Sequence, residues 1–135
     1  MFKFEGWREG DLLCVRMSGF VPSDQVEILK KRMLDLLATM NGRPFKVFCD
    51  LRGLKAVSPR VLKELKEIDD YLYESTATKV GSVFDSIIAQ VQHLRTANDS
   101  RNGEMFRTGR SKIFTNPDKC REWLMEERTI ADAGE

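Results

Sequence analysis

The sequence has few residues of the kinds that bind metals or form disulfides. Among its 135 residues there is one histidine, His93, and the three cysteines are widely spaced with no Cys-x-x-Cys pair. No cluster of metal ligands surrounds the histidine, so neither a metal nor another cofactor is predicted. Cys14 and Cys49 lie in apolar stretches, where a free cysteine behaves as a small hydrophobic residue, and this favours reduced thiols inside the cell.

Long hydrophobic runs, glycine-rich phosphate loops and an excess of one charge are absent as well. No apolar run approaches the roughly 18 residues that indicate a membrane-spanning helix, and the opening MFKFEGWREGDLL lacks the apolar core of a signal peptide. The formal net charge is +1, which gives no general attraction to nucleic acid or to anionic membranes. These absences predict a cytoplasmic protein without membrane insertion and without nucleic acid as a partner.

The apolar residues that are present follow strand and helix periodicity in turn. Strands are predicted over 2–7, 12–17, 45–51, 79–84 and 111–115, and helices over 23–41, over 59–74, from 87 and from 117. The order β-β-α-β-α-β-α-β-α opens with a hairpin, and its later alternation requires crossover connections between parallel strands. The prediction is one α/β domain over 1–128 with a mixed, mostly parallel sheet, followed by a flexible tail over 129–135.

Residues that favour helix starts and stops mark the boundaries of these elements. Asp24 with Glu27 fits a capping box at the start of the first helix. Ser58 and Asn116 each precede a proline, which is typical of a capping residue followed by the first helical position. The polar stretch 98–104, NDSRNGE, predicts that the third helix ends or breaks there.

Three stretches of the sequence carry a resemblance to a known family. They are FKVFCDLRGL for the central strand, KVGSVFD for the next parallel strand, and SKIFTNPDKCREWL for the closing strand and helix. With the element order, they resemble the STAS superfamily, and more narrowly its SpoIIAA-like branch of bacterial proteins similar to anti-sigma-factor antagonists. The resemblance implies a domain without catalytic activity that binds a partner protein. In this family a serine at the start of the helix after the central strand is often phosphorylated, and some members bind nucleotides or hydrophobic ligands.

The phosphorylation motif of that family is altered in this chain. The family pattern runs roughly Asp-Leu-Ser and, a few residues later, Asp-Ser-Ser-Gly. Asp50 and Leu51 match its start, but the phosphoacceptor position falls on or beside Pro59, and Ser58 stands where the family has its aspartate. We therefore expect Ser58 to act as a helix cap, with phosphorylation as the alternative, because a phosphate is also favourable at a helix N-terminus.

A set of polar residues follows two strands that are predicted to be neighbours. The set consists of Asp50, Arg52, Ser58, Asp85 and Ser86, and we call it the rim. Open α/β sheets bind their ligands at the carboxyl ends of the strands. The rim is therefore the predicted docking site for a protein partner, and helix capping and turn formation are the simpler explanation of the same residues.

The segment 92–112 is rich in basic side chains and supports an alternative function. It contains Arg95, Arg101, Arg107 and Arg110, and guanidinium groups can hold a carboxylate or phosphate with two hydrogen bonds. With an apolar pocket between sheet and helices, these arginines would make the protein a carrier or sensor of a lipid or an anionic metabolite. A solvated helix face with a charged loop is the simpler explanation.

An enzyme is not predicted. His93 has the ordinary pKa of a general base, and Cys49 next to Asp50 is a candidate nucleophile, but neither has a catalytic partner nearby in sequence. Catalysis would need His93 close to Cys49, to Ser58 or to a pair of carboxylates. No feature of the sequence decides whether the protein forms a homodimer.

Overall fold

The computed structural model describes residues 2–40, 42–98 and 102–126. The strands are β1 (Lys3–Glu9), β2 (Leu12–Ser18), β3 (Phe45–Asp50), β4 (Ala77–Val83) and β5 (Ser111–Phe114), and the helices are α1 (Val26–Ala38), α2 (Pro59–Glu74), α3 (Ile87–Asn98), α4 (Asn102–Arg107) and α5 (Pro117–Met125). The predicted tail over 129–135 lies outside the described residues. No helix of the described part of the chain is long and apolar enough to cross a membrane.

The five strands form one sheet in the order β1-β2-β3-β4-β5. β1 pairs with β2 in the antiparallel direction, and the other neighbouring strands are parallel. Strands that follow one another in the chain are therefore neighbours in the sheet, and each parallel pair is connected through at least one helix. The predicted α/β fold with a mixed, mostly parallel sheet is confirmed.

The helices divide between the two faces of the sheet. Because successive strand residues point to opposite faces, Cys49 contributes to the core beneath α1, α2, α3 and α4, whereas Phe48 contributes to a smaller core beneath α5. The smaller core also contains Cys120 and Leu124, which are fully buried. A thick helical layer thus covers one face of the sheet, and within the described ranges α5 alone packs on the other.

Two helix starts follow the predicted capping pattern. Ser58 Oγ accepts a hydrogen bond from the Val61 N–H at 3.3 Å, and Asn116 Oδ1 accepts hydrogen bonds from Asp118 and Lys119 at 2.8 and 3.2 Å. In both helices a proline follows the cap. The sequence signal of a polar cap before proline is therefore confirmed.

The predicted capping box at the first helix is wrong. Residues Ser23–Gln25 form a single 3₁₀ turn, α1 begins at Val26, and no side chain caps either segment. The Gln25 N–H donates to the Pro22 carbonyl at 3.0 Å, so the backbone makes the bond that a capping side chain would have supplied. The chain enters α1 through this tighter turn, which leaves Asp24 exposed at the surface.

The segment 98–104 contains the predicted interruption and one element that the sequence did not reveal. α3 ends at Asn98 and a short helix, α4, begins at Asn102. Met105 of α4 is fully buried against the main core. A helix of 6 residues is too short for a clear periodic pattern, so its presence was not predictable from spacing.

Candidate functional site

Asp50, the first rim residue, is buried and fully engaged by two arginines. Only 3% of the residue is exposed. Arg52 donates from Nε to Oδ1 at 2.9 Å and from Nη2 to Oδ2 at 2.8 Å, and Arg16 Nε lies 3.4 Å from Oδ2. The hydrogen bonds from Arg52 hold the pKa of Asp50 below its usual value, so the carboxylate stays ionised. Asp50 therefore holds Arg52 in position, and the Arg52 side chain remains 44% exposed.

Asp85 connects the loop after β4 to the loop after β3. Its Oδ1 accepts a hydrogen bond from the Gly53 N–H at 2.8 Å. Gly53 has φ of 83°, a left-handed conformation that glycine adopts without strain. The Gly53 carbonyl in turn accepts a bond from Gly19 N–H at 2.9 Å, so three connections meet at this loop. The structure thus brings Asp50, Arg52 and Asp85 together, as the rim prediction requires.

The two serines of the rim are helix caps. Ser86 Oγ accepts a hydrogen bond from the Ala89 N–H at 3.2 Å in the first turn of α3. Ser58 caps α2, and its Oγ also lies 3.2 Å from the Ser23 hydroxyl. Both serines are partly exposed, so each remains accessible at the edge of the rim.

Exposed apolar side chains flank the rim, and the sequence did not reveal them. Ile87 is 80% exposed, Ile88 63% and Val91 42%, all in the first half of α3 directly after Ser86. On the other side Phe20, which is 52% exposed, follows the glycine that bonds to the rim loop. The adjacent pair Ile87-Ile88 was the available signal, because neighbouring helix residues point in different directions and a narrow buried stripe rarely accommodates both.

The arginines predicted to bind an anion do not form a common site as far as the described ones, Arg95, Arg107 and Arg110, are concerned. Arg110 is held by the end of α2, as its guanidinium donates to the carbonyls of Tyr73, Leu72, Ser75 and, through Nε at 2.7 Å, Ala77. Arg107 pairs with Glu104 at 2.5 Å on the surface. Arg95 is exposed, and Arg101 lies outside the described residues. The sequence pattern is thus explained in part by helix capping and a surface ion pair.

A cavity of about 80 Å³ lies between the sheet and the helices α2, α3 and α4. Apolar side chains such as Leu65, Ile68 and Leu72 form most of its wall. Cys49, Asp69, Ser82, His93 and Ser111 also line it, and Lys55 lies at its edge. Of the arginines predicted to bind an anion, those in the described part of the chain do not contribute to this lining.

His93 and Cys49 share the cavity but do not have the properties of a base and a nucleophile. Burial lowers the pKa of His93 to about 4 and raises the pKa of the Cys49 thiol to about 12. A reactive cysteine needs the opposite. Its thiol pKa must be lowered by a protonated histidine or another positive group that stabilises the thiolate. Within the described residues His93 contacts the rings of Phe84 and Phe106 and makes no hydrogen bond to Cys49.

Comparisons with known proteins agree at the level of the fold. No family model matches the sequence, and no curated protein matches it either. An anti-sigma factor antagonist from Mycobacterium paratuberculosis is structurally similar with a TM-score of 0.64 and 13% identity, over 93% of this chain and 96% of that chain. An uncharacterised protein with a SpoIIAA-like fold from Shewanella loihica PV-4 has a TM-score of 0.62 and 17% identity, over 91% and 93% of the two chains. The chain therefore has a SpoIIAA-like fold, as its sequence predicted.

Proposed function

We propose that this chain is a regulatory module without catalytic activity that docks a protein partner through the rim and the adjoining start of α3. The exposure of Ile87 and Ile88, which directly follow the rim residue Ser86 in the chain, carries the proposal. Protein interfaces usually combine exposed apolar side chains with neighbouring polar and charged groups. Contiguous exposed apolar side chains also require an explanation in a folded domain.

The loop between β3 and α2, residues 51–58, is held in place by several hydrogen bonds, and this supports docking. Asp85 and Gly19 hold Gly53 from two sides, and the Gln92 side chain bonds to both the N–H and the carbonyl of Val57 at 3.0 and 3.1 Å. A loop that is already ordered loses less conformational entropy when a partner binds. Asp50 fixes the Arg52 side chain in the same way, through two hydrogen bonds. We infer that the fixed guanidinium pairs with an acidic group on the partner.

The likeness in fold supports a regulatory role. One structure with this fold is an antagonist of an anti-sigma factor, and such a protein acts on another protein. The pKa values of His93 and Cys49 support the absence of catalysis, since at neutral pH neither a thiolate nor an imidazolium is favoured in the cavity. These observations favour binding over chemistry as the role of this domain.

The second candidate function, a carrier of a lipid or an anionic metabolite, has less support. It requires free guanidinium groups at the mouth of the cavity. Arg110 bonds to backbone carbonyls and Arg107 pairs with Glu104, and neither lines the cavity. The geometry of these arginines favours protein docking as the function.

Photocrosslinking with a matched control site tests the docking surface. A photoreactive phenylalanine analogue replaces Ile88 in one variant and Ile28 in the other, because both isoleucines are 63% exposed and Ile28 lies on α1, which α2 separates from α3. In cells of the source organism, we expect position 88 to form one protein adduct of constant mass that position 28 does not form. Equal adducts at both positions, or none at position 88, would contradict the proposal.

Binding of the purified partner then gives a quantitative check. The partner identified from the adduct is titrated against Ile88→Asp and Ile28→Asp, with circular dichroism confirming that both variants are folded. We expect Ile88→Asp to weaken binding at least about tenfold, which corresponds to roughly 1.4 kcal/mol, and Ile28→Asp to leave it unchanged. An equal loss in both variants would place the interface elsewhere.

A further inference from the structure

The cavity exists because three neighbouring strands carry small side chains toward the helices. Cys49 on β3 and Ser82 on β4 are register partners. Ser111 on β5 is the register partner of Val80, which lies two residues before Ser82 and so on the same face of the sheet. Other positions on this face of the sheet carry larger residues such as Val47 and Met17. Larger side chains at these positions would fill the space beneath α2 and α3, which is left empty. Such a void is unusual, because protein interiors are normally close-packed.

The size and lining of the cavity fit a small organic molecule better than a few waters. A single buried water needs roughly 10–15 Å³ of such space together with two to four polar partners. The cavity has about 80 Å³ and a mostly apolar wall. Pockets for small ligands have this character, namely apolar walls with a few polar groups that fix the orientation of the ligand.

Ser111 is the polar group that points to a ligand. The residue is 4% exposed, lines the cavity, and its Oγ has no hydrogen-bond partner among the described residues. Of the other polar groups nearby, Gln92 is engaged, because its side chain bonds to the backbone of Val57. A buried hydroxyl without a partner is rare in folded proteins, so a group outside the chain is expected to pair with it.

The charges around the cavity select an uncharged molecule. The one cation in its lining within the described residues is Lys55, which is exposed at the edge. Asp69 in the wall opposes an anion, and this residue already takes part in another interaction. The His93 ring is neutral near pH 7 and therefore offers one donor and one acceptor nitrogen.

We propose that this cavity binds a compact, uncharged organic molecule with an apolar body and one hydroxyl or carbonyl group, which pairs with the Ser111 hydroxyl. The apolar body contacts Ile68 and Leu72 of α2 and the rings of Phe84 and Phe106, which already enclose His93. The cavity contacts the inner side of α3 through Ala89, Gln92 and His93, whereas the docking surface uses the exposed Ile87 and Ile88 of the same helix.

Phenol, benzene and benzoate test the three parts of the proposal: a polar group, an apolar body and no charge. Each is titrated into ¹⁵N-labelled protein while the backbone amides of Ser82, His93 and Ser111 are followed by NMR. We expect phenol to shift these amides saturably and to bind about tenfold more tightly than benzene. We expect benzoate to leave them unchanged at the same concentrations.

The Ser111→Ala variant identifies the group that recognises the hydroxyl. The substitution removes a hydroxyl oxygen that has no hydrogen-bond partner among the described residues. We therefore expect the variant to fold and to retain the affinity for benzene. The tenfold preference for phenol should disappear in this variant. Equal binding of phenol and benzene by the natural protein, no saturable shift with either, a preference that survives in Ser111→Ala, or tighter binding of benzoate would each overturn the proposal.

Discussion

At the scale of single residues, the hydroxyl of Ser58 makes two contacts that hold the start of α2. It accepts a hydrogen bond from Val61 N–H at 3.3 Å and lies 3.2 Å from the Ser23 hydroxyl. The second contact joins the entry of α1 to the entry of α2. A phosphate on Ser58 would still face the free N–H groups of the first turn, which favour negative charge, but it would replace the contact with Ser23.

Substitution of Ser58 separates capping from regulation. We expect Ser58→Ala to lower the free energy of unfolding by about 1 kcal/mol, because the first turn loses its capping acceptor, and Ser58→Asp to remain within a few tenths of a kcal/mol of the natural protein. Urea denaturation measures both changes. If Ser58→Ala unfolds at the same urea concentration as the natural protein, the cap does not stabilise α2.

The same variants test the alternative that Ser58 is a phosphorylation site. If Ser58 acts only as a cap, the adduct formed from position 88 has the same yield in Ser58→Asp as in the natural background. A large change in yield with unchanged stability would indicate a charge-sensitive switch at this serine.

At the scale of secondary structure elements, two basic side chains close the C-terminal ends of helices. Arg110 donates to carbonyls of Leu72, Tyr73 and Ser75 at the end of α2. Lys79 is buried on β4 and donates to the carbonyls of Trp123 and Glu126 at the end of α5, at 2.7 and 3.0 Å. The last carbonyls of a helix have no partner within the helix, and a positive charge there is favourable. Each helix is thereby fastened to the sheet.

Arg110 and Arg107 form a natural pair for testing this fastening. We expect Arg110→Ala to lower the free energy of unfolding by about 2–3 kcal/mol, because hydrogen bonds from a charged group to several carbonyls are lost together. Arg107→Ala removes a surface ion pair and should change stability by less than about 0.5 kcal/mol. Urea denaturation of the two variants provides the comparison, and similar losses would show that Arg110 does not hold the end of α2.

Arg110 also illustrates that local sequence patterns do not predict contacts between distant parts of the chain. Ser58 and Asn116 bond to backbone groups two or three residues ahead, so a local pattern predicted both caps. The carbonyls that hold Arg110 lie 33 to 38 residues earlier in the chain. No spacing within the segment 92–112 contains that information, and the arginine therefore resembled a binding residue.

At the scale of the whole molecule, the thick helical layer on one face of the sheet determines the electrostatics of the interior. His93 belongs to α3, in which Ala89 is the one buried residue among the described side chains, yet its ring lies against Phe84 and Phe106 at 5.3 and 6.1 Å between centroids. Burial alone lowers the pKa of His93 from 6.5 to about 4. The folded protein therefore favours the neutral imidazole, and the unfolded chain binds the proton more tightly.

This shift predicts a specific loss of stability in mild acid. Because the pKa of His93 is lower in the folded state, its contribution is fully present above about pH 6.5 and is lost as the pH falls toward 4. We expect the stability of the natural protein to fall by the order of 1–2 kcal/mol more than that of His93→Gln between pH 7 and pH 5. Urea denaturation at pH 7, 6 and 5 measures the difference, and parallel pH profiles would show that the folded protein does not resist protonation of His93.

The sequence by itself determined the five strands, the four longer helices, their order and hence the fold, although not the short helix α4. Strand and helix periodicity, together with caps such as Ser58, arise from contacts within a few residues, and the crossover rule then requires parallel neighbours. Only the tertiary structure decided which polar groups are engaged and which surfaces are open. The contact between Asp50 and Arg16, the engagement of Arg110, and the Ser111 hydroxyl that has no partner among the described residues all depend on elements that meet only after the chain has folded. Burial and pairing result from contacts between elements that are distant in the chain, so they could not be predicted from the spacing of residues along it.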